Sequence, residues 1–375
     1  MQAMHTAAPD PGVDLGPLRE LMDEDEVSEV MVIGHDRIYV ETKGTLFLSK
    51  VRFSSEEELR TLIDRVVTAV GRRIDERTPL CDARLADGSR VNATLPPASI
   101  DGPTLTIRKF ARDRMQVDDL VRSGTGSATV FGFLRACVLA RANVLVSGGT
   151  GTGKTTLLNV LSSFIPEAER VVTIEDAAEL QLRQDHVVRL ESRPAGLDGT
   201  GRITIRDLVV NALRMRPDRI VVGECRGPEA MDMLQSMNTG HDGSMTTLHA
   251  NTPRDTLARL ETLVLMASLD LPHRAIREQI ASAIDIIVQM TRLRDGSRRI
   301  THVVELTGME GEIITMQEVF QFRVMGLNER GEIASTMEPT GLRPRIMERL
   351  HDNVLDIPEE IRELYPPAAA RLHGR

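Results

Sequence analysis

Short apolar runs alternate with polar stretches along the chain, and their period changes partway. Residues 27–51 read VSEVMVIG, RIYVETKG and TLFLSKV, joined at His35-Asp36 and Lys43-Gly44. This alternation predicts two or three strands in tight succession. A short acidic helix is expected before them, over 18–26. Residues 54–70 open with Ser-Ser-Glu-Glu-Glu, an N-cap and an acidic first turn, then carry apolar positions at helical spacing. Residues 80–110 return to strand-like text, with a hairpin turn at Asp87-Gly88. Residues 1–110 therefore predict a small α+β domain.

Residues 111–126 are polar and hold Gly124 and Gly126, so they are expected to be a linker. From 127 the pattern becomes strand–helix alternation. Strands are expected at 142–147, 170–174, 187–190 and 219–222, with helices at 131–141, 205–216 and 229–239. Such alternation argues an α/β domain whose parallel sheet is covered on both faces. From Ile284 onward, DIIVQMTRL, ITHVVELTG and ITMQEVFQF predict antiparallel strands added to that sheet, before a helical tail from Pro344. The second domain is thus expected over 127–375.

A chain of 375 residues has room for these two domains. Its net charge of −9 argues against a protein that coats nucleic acid or an anionic membrane. The lack of Trp, with two Tyr and eight Phe, also disfavours base-stacking platforms. Cys81, Cys137 and Cys225 match no zinc or CxxC spacing, which predicts reduced thiols in a cytoplasmic protein. No signal peptide and no apolar run of membrane-spanning length is evident, so a soluble chain is expected.

Gly148-Gly149-Thr150-Gly151-Thr152-Gly153-Lys154-Thr155 matches G-x-x-x-x-G-K-[ST] between a strand and the helix beginning TTLLNVL. Its glycines let successive backbone N–H groups wrap an anion, and the helix dipole adds to their pull. Gly149, Thr150, Gly151, Thr152, Gly153, Lys154, Thr155 and Thr156 are the expected ATP contacts, with Lys154 on the phosphates and Thr155 on Mg²⁺. Arg219-Ile220-Val221-Val222-Gly223-Glu224 resembles a Walker B strand with Gly where the usual Asp stands. Glu224 can hold Mg²⁺ through water or orient the attacking water. Glu175-Asp176-x-x-Glu179 also follows a strand, at the end where ligands bind in open α/β sheets. Gly240-His241-Asp242-Gly243 and His249 add two histidines beyond the next helix.

Taken in order, GGTGTGKTT, TIEDAAELQL, RPDRIVVGECRG and NTGHDGSMTTLHAN resemble the Walker A, Asp box, Walker B and His box of the secretion-ATPase superfamily. That superfamily powers type II and type IV secretion and type IV pili. LRMRPDRIVVGECRGPEAMDMLQSMNTGHDGS and DARLADGSRVNATLPP are most similar to the CpaF/TadA-type ATPases of tight-adherence (Flp) pili. The resemblance implies a homohexamer with a smaller N-terminal α+β domain and a C-terminal RecA-like P-loop ATPase domain. It implies ATP and Mg²⁺ as cofactors, and an inner-membrane platform protein as the partner that receives the motion. Glu175 and Glu224 are its expected acidic catalytic residues, either of which can be the base. His241 and His249 are its expected γ-phosphate sensors. Arginines from the N-terminal domain are also implied on the phosphates, with Arg84, Arg90 and Arg108 the candidates; Arg214 and Arg216, from the segment before the Walker B strand, are further ones. A DNA translocase and a nucleotide-gated interaction protein with little hydrolysis are the alternatives.

Overall fold

The structure is a computed structural model that describes residues 12–42, 44–110, 115–196, 199–267, 271–327, 331, 333–352 and 357–366. The turn residue Lys43 and residues 111–114 of the expected linker lie outside that set. The chain divides into two compact units, residues 1–113 with 195–201, and residues 114–194 with 202–375.

The first unit holds α1 (Arg19–Asp23), β1 (Val27–Ile33), β2 (Arg37–Thr42), β3 (Thr45–Leu48), α2 (Glu56–Ala69), β4 (Leu80–Arg84), β5 (Arg90–Thr94) and β6 (Thr104–Arg108). The strands form one antiparallel sheet in the order β3-β2-β1-β6-β5-β4. Ser55 caps α2 by accepting from Glu58 N, while Glu58 Oε2 accepts from Ser54 N at 2.6 Å. Leu59, Leu62, Ile63, Val66 and Val67 of α2 share a core with Val30, Val91, Ala93, Leu105 and Ile107. One face of the sheet is thereby buried, and the alternate residues form the other face.

The second unit begins with α3 (Val117–Arg122), α4 (Ala128–Leu139), β7 (Val144–Gly148), α5 (Lys154–Ser162), β8 (Val171–Glu175), β9 (Val187–Glu191), α6 (Ile205–Ala212) and β10 (Arg219–Val222). There follow α7 (Glu229–Asn238), β11 (Met245–Leu248), α8 (Pro253–Leu265), α9 (His273–Ala283), β12 (Ile286–Arg292), β13 (Arg298–Glu310), β14 (Ile313–Leu327), β15 (Ile333–Pro339), α10 (Ile346–Asp352) and α11 (Glu359–Leu364). The sheet order is β15-β14-β13-β12-β7-β11-β10-β8-β9. From β12 to β9 neighbours are parallel, and β13–β15 add antiparallel strands beside β12. Strands β7, β8, β10 and β11 are buried throughout, because helices cover both faces. One core joins α4, α5, α10 and α11 to the sheet, and the other joins α6–α9.

Helix α3 lies inside the segment expected to be a linker. Gln116 and Asp119 form a reciprocal capping box there, and Leu120 is buried in the α4 core. A side-chain amide at the cap replaces the usual Ser or Thr signal, so the polar text conceals the helix.

Asn143 ties three parallel strands together at their amino ends. Its Oδ1 accepts from Gly243 N at 2.8 Å and Ser244 N at 3.0 Å, and its Nδ2 donates to Ala283 O at 2.7 Å. Its own N–H reaches Asp285 Oδ2 at 2.7 Å. No helix among the described residues is long and apolar enough to cross a membrane.

Candidate active site at the carboxyl edge of the parallel sheet

The P-loop follows β7 and packs hard against β12. A Cβ at Gly148 would lie 2.6 Å from Met290 O and 2.6 Å from Thr152 Oγ1, so the position has no room for a side chain. Gly151 and Gly153 sit at φ +71° and +93°, which a side chain strains. The loop therefore turns tightly into α5 and leaves Lys154 and Thr155 in its first turn. Lys154 is 8% exposed and donates from Nζ to Gly149 O at 3.0 Å. Burial pushes its ammonium below the usual lysine range, against the pull of Glu224.

Each parallel strand delivers one more charged residue to the same edge. His249 follows β11, Glu224 follows β10, and Glu175 and Asp176 close β8. His249 Nε2 lies 3.3 Å from Lys154 Nζ and 2.7 Å from Glu224 Oε1. That one nitrogen can accept from the lysine or donate to the carboxylate, but not both. Burial, then Lys154, pushes the imidazole below the ordinary histidine value. Glu224 Oε2 receives Arg226 Nη2 at 2.6 Å, and Arg226 Nη1 stands 3.6 Å from Asp176 Oδ2. Arg226 is a site residue that the motif reading missed. Only strand order brings it between the two carboxylates.

Glu175 is built differently. It is 3% exposed, its Oε1 accepts from Glu179 N and Leu180 N at 2.8 Å each, and its Oε2 is buried without a partner. Desolvation outweighs those two donors and lifts the carboxyl to about 7. Gly223 explains the missing Walker B aspartate. A Cβ there would lie 2.9 Å from Glu175 Cγ and 3.4 Å from Glu175 Oε1. Gly223→Asp is expected to lower stability by about 1–3 kcal/mol, the usual penalty for overpacking, with a second carboxylate forced onto a desolvated one. Thermal unfolding checks this, and an unchanged melting temperature would contradict it.

The buried lysine, the cramped glycine loop and the unpartnered Glu175 oxygen fit a bound nucleoside triphosphate with Mg²⁺. Lys154 and the N–H groups of Gly149 to Thr156 would hold phosphate, and Thr155 and Glu224 the metal.

Other expected residues lie elsewhere. His241 precedes β11, at the amino end of a strand whose carboxyl end carries His249. The structure does not bring these two histidines together. Arg214 and Arg216 precede β10 and also stand at the amino edge. In the N-terminal unit, Arg84 pairs with Arg90 across β4–β5, Arg90 with Arg108 across β5–β6, and Arg108 with Glu29 across β6–β1. One rung of the sheet thus carries three arginines side by side on the face opposite α2, since Ala83, Val91 and Ile107 occupy the α2 side.

A family described as "Type II/IV secretion system protein" matches residues 12–356. A Mycobacterium tuberculosis protein whose name assigns it to conjugal transfer is 38% identical over 304 residues, covering 80% of this chain and 86% of its own. Type IV secretion system protein PtlH of Bordetella pertussis is 34% identical over 340 residues, covering 82% of this chain and 99% of its own. Among solved structures, the pilus retraction motor PilT with bound ADP superposes with a TM-score of 0.52 at 16% identity, covering 94% of this chain and 97% of its own. The last likeness is one of fold.

Proposed function

The chain belongs to the type II/IV secretion system protein family, and from that premise we propose that it is a homohexameric, Mg²⁺-dependent ATP-driven motor of a pilus or secretion apparatus. Its classification as an ATP-hydrolysing enzyme of the secretion-ATPase superfamily, with a nucleotide-hydrolysing motor function related to those ATPases, rests on that membership and on the RecA-like fold. The finer assignment to the CpaF/TadA type rests on the stretches LRMRPDRIVVGECRGPEAMDMLQSMNTGHDGS and DARLADGSRVNATLPP. In this reading the ring works on the cytoplasmic side, and an inner-membrane platform protein takes up its motion.

One observation carries the reading: Lys154, His249, Glu224 and Glu175 converge at one sheet edge from four different strands. Lys154 and the loop N–H groups bind and orient the phosphates. Bound Mg²⁺ supplies charge neutralisation on the phosphoryl oxygens. Glu224 takes the metal side, because it stands 2.7 Å from His249 Nε2, which lies 3.3 Å from Lys154 at the start of α5, next to Thr155. Glu175 takes a proton from water, because a buried carboxyl near neutral pH can both accept and release one. His249 passes the state of Lys154 to Glu224 through its single shared nitrogen. His241 acts as the second sensor only if a neighbouring subunit brings a nucleotide to the opposite sheet edge.

The arginine rung supplies the charge that Lys154 alone lacks. Phosphoryl transfer spreads negative charge over three oxygens, and a mobile arginine makes hydrolysis depend on domain position. Arg90→Ala is expected to lower the hydrolysis rate about tenfold or more, with a much smaller loss in nucleotide affinity. Equal losses in rate and affinity would remove the sensing role from Arg90.

The function is tested by measuring Mg²⁺-dependent phosphate release against protein concentration, with oligomeric state followed by light scattering. Specific activity should rise as rings assemble. Assembled rings without Mg²⁺-dependent release would refute the motor.

A further inference from the structure

The catalytic carboxylates lie on one flank of the P-loop. His249 and Glu224 follow β11 and β10, on one side of β7, the side to which the proposed function assigns the terminal phosphate. On the other side of β7 runs β12, which continues past the P-loop into a hairpin with β13. Met290 aligns with Gly148, so Arg292 lies just beyond the carboxyl edge of the sheet.

At this height the hairpin places two arginines directly opposite each other. Arg292 and Arg298 are register partners, and both are exposed. Side by side on one antiparallel rung, the two guanidinium groups concentrate positive charge at the turn. Four arginines and one aspartate fall between residues 292 and 299, in a chain whose net charge is −9. The aspartate, Asp295, is turned into its own corner. It accepts from Ser297 N, Ser297 Oγ and Ile333 N, and those bonds hold its carboxyl down at about 2.

The arginines stand over the P-loop glycines. Arg292 Nη1 is 3.9 Å from the point where a Gly151 Cβ would be, and Arg298 Cδ is 3.4 Å from the corresponding point on Gly153. Gly151 and Gly153 belong to the turn whose N–H groups face the anion. An arginine fork beside that turn can bond phosphate oxygens in pairs.

We propose that Arg292 and Arg298 form a second, same-subunit anion clamp that binds the inner phosphates of the nucleotide. The clamp rests on the ATP-binding reading above and extends it to a flank that the four motifs do not reach. It acts equally on di- and triphosphate, because it lies away from Glu224 and His249. Its contribution is therefore uniform binding, felt in affinity and not in turnover.

Arg292→Ala, Arg298→Ala and the double variant test this by titration with ADP and with inorganic pyrophosphate. Each single variant should weaken both ligands about tenfold, as for loss of a charge-assisted hydrogen bond, and kcat at saturating ATP should stay within about twofold. The melting shift induced by ADP should shrink.

Two outcomes would overturn the clamp. One is ADP affinity unchanged in the double variant. The other is weakened ADP with unchanged pyrophosphate, which would place the contact on the nucleoside. If the wild-type chain itself bound no ADP, the ATP-driven reading would fail first.

Discussion

Glu224→Gln is expected to cut the turnover number about 10²–10³-fold while ATP still binds. The carboxylate sits between a guanidinium and an imidazole, 2.6 Å from Arg226 Nη2 and 2.7 Å from His249 Nε2. An amide keeps the shape of the group and can still accept one hydrogen bond. It loses the negative charge that, on the proposed function, draws the metal, and that orients both partners. Folding should suffer little, because Arg226 is 57% exposed and has Asp176 as a second partner. The experiment pairs steady-state phosphate release with calorimetric ATP binding. A turnover number within about fivefold of wild type would remove Glu224 from the machinery.

Glu175→Gln should be as damaging to rate and should also change how the protein answers to pH. A base must be deprotonated to accept a proton. With its carboxyl at about 7, wild-type turnover should climb as pH rises through neutrality and then level off. The variant should lose most of its activity and that part of the pH profile.

Stability moves the opposite way. The folded-state value lies above the ordinary glutamate value of 4.5, so the folded protein keeps a proton that the unfolded chain releases. The stabilising effect is complete below about 4.5 and fades as pH rises through about 7. It totals about 3 kcal/mol across that window. Melting temperatures of the nucleotide-free protein between about pH 5 and 8 should fall more steeply for wild type than for Glu175→Gln. Parallel slopes would mean that Glu175 does not titrate there.

The P-loop is legible in the sequence because its chemistry is contiguous: glycines, lysine and threonine occupy adjacent positions and need only a strand before and a helix after. The parallel strands are legible for a related reason. Each is a short run buried on both faces and therefore apolar throughout. The hairpin turn at Asp87-Gly88 is legible too, but its register is not: a two-residue loop there would set Arg84 opposite Val91, whereas the observed loop is one residue longer and sets Arg84 opposite Arg90.

Other features depend on distance in space. The His box reads as one motif, yet β11 runs through its middle, so the extended residues Met245–Leu248 separate the two histidines. Arg226 gains its role only because β8 and β10 are neighbours. Val222 pairs with Ile174, which brings Arg226 beside Asp176, and nothing in the spacing of the two segments announces that pairing. Strands β13 and β14 run to 13 and 15 residues, beyond the apolar text that announces them. The outer half of β14 is mostly exposed, so cross-strand bonding and not burial holds it.

Asn143 gives the arrangement a consequence that reaches across the sheet. A β-strand is nearly inextensible, so a slip at one rim reappears at the other without attenuation. Through its amide, Asn143 sets where β7, β11 and β12 all begin. The same side chain therefore calibrates how far Lys154, His249 and Arg292 extend at the opposite rim. The accuracy of the candidate site is gauged from a buried amide at the opposite rim of the sheet.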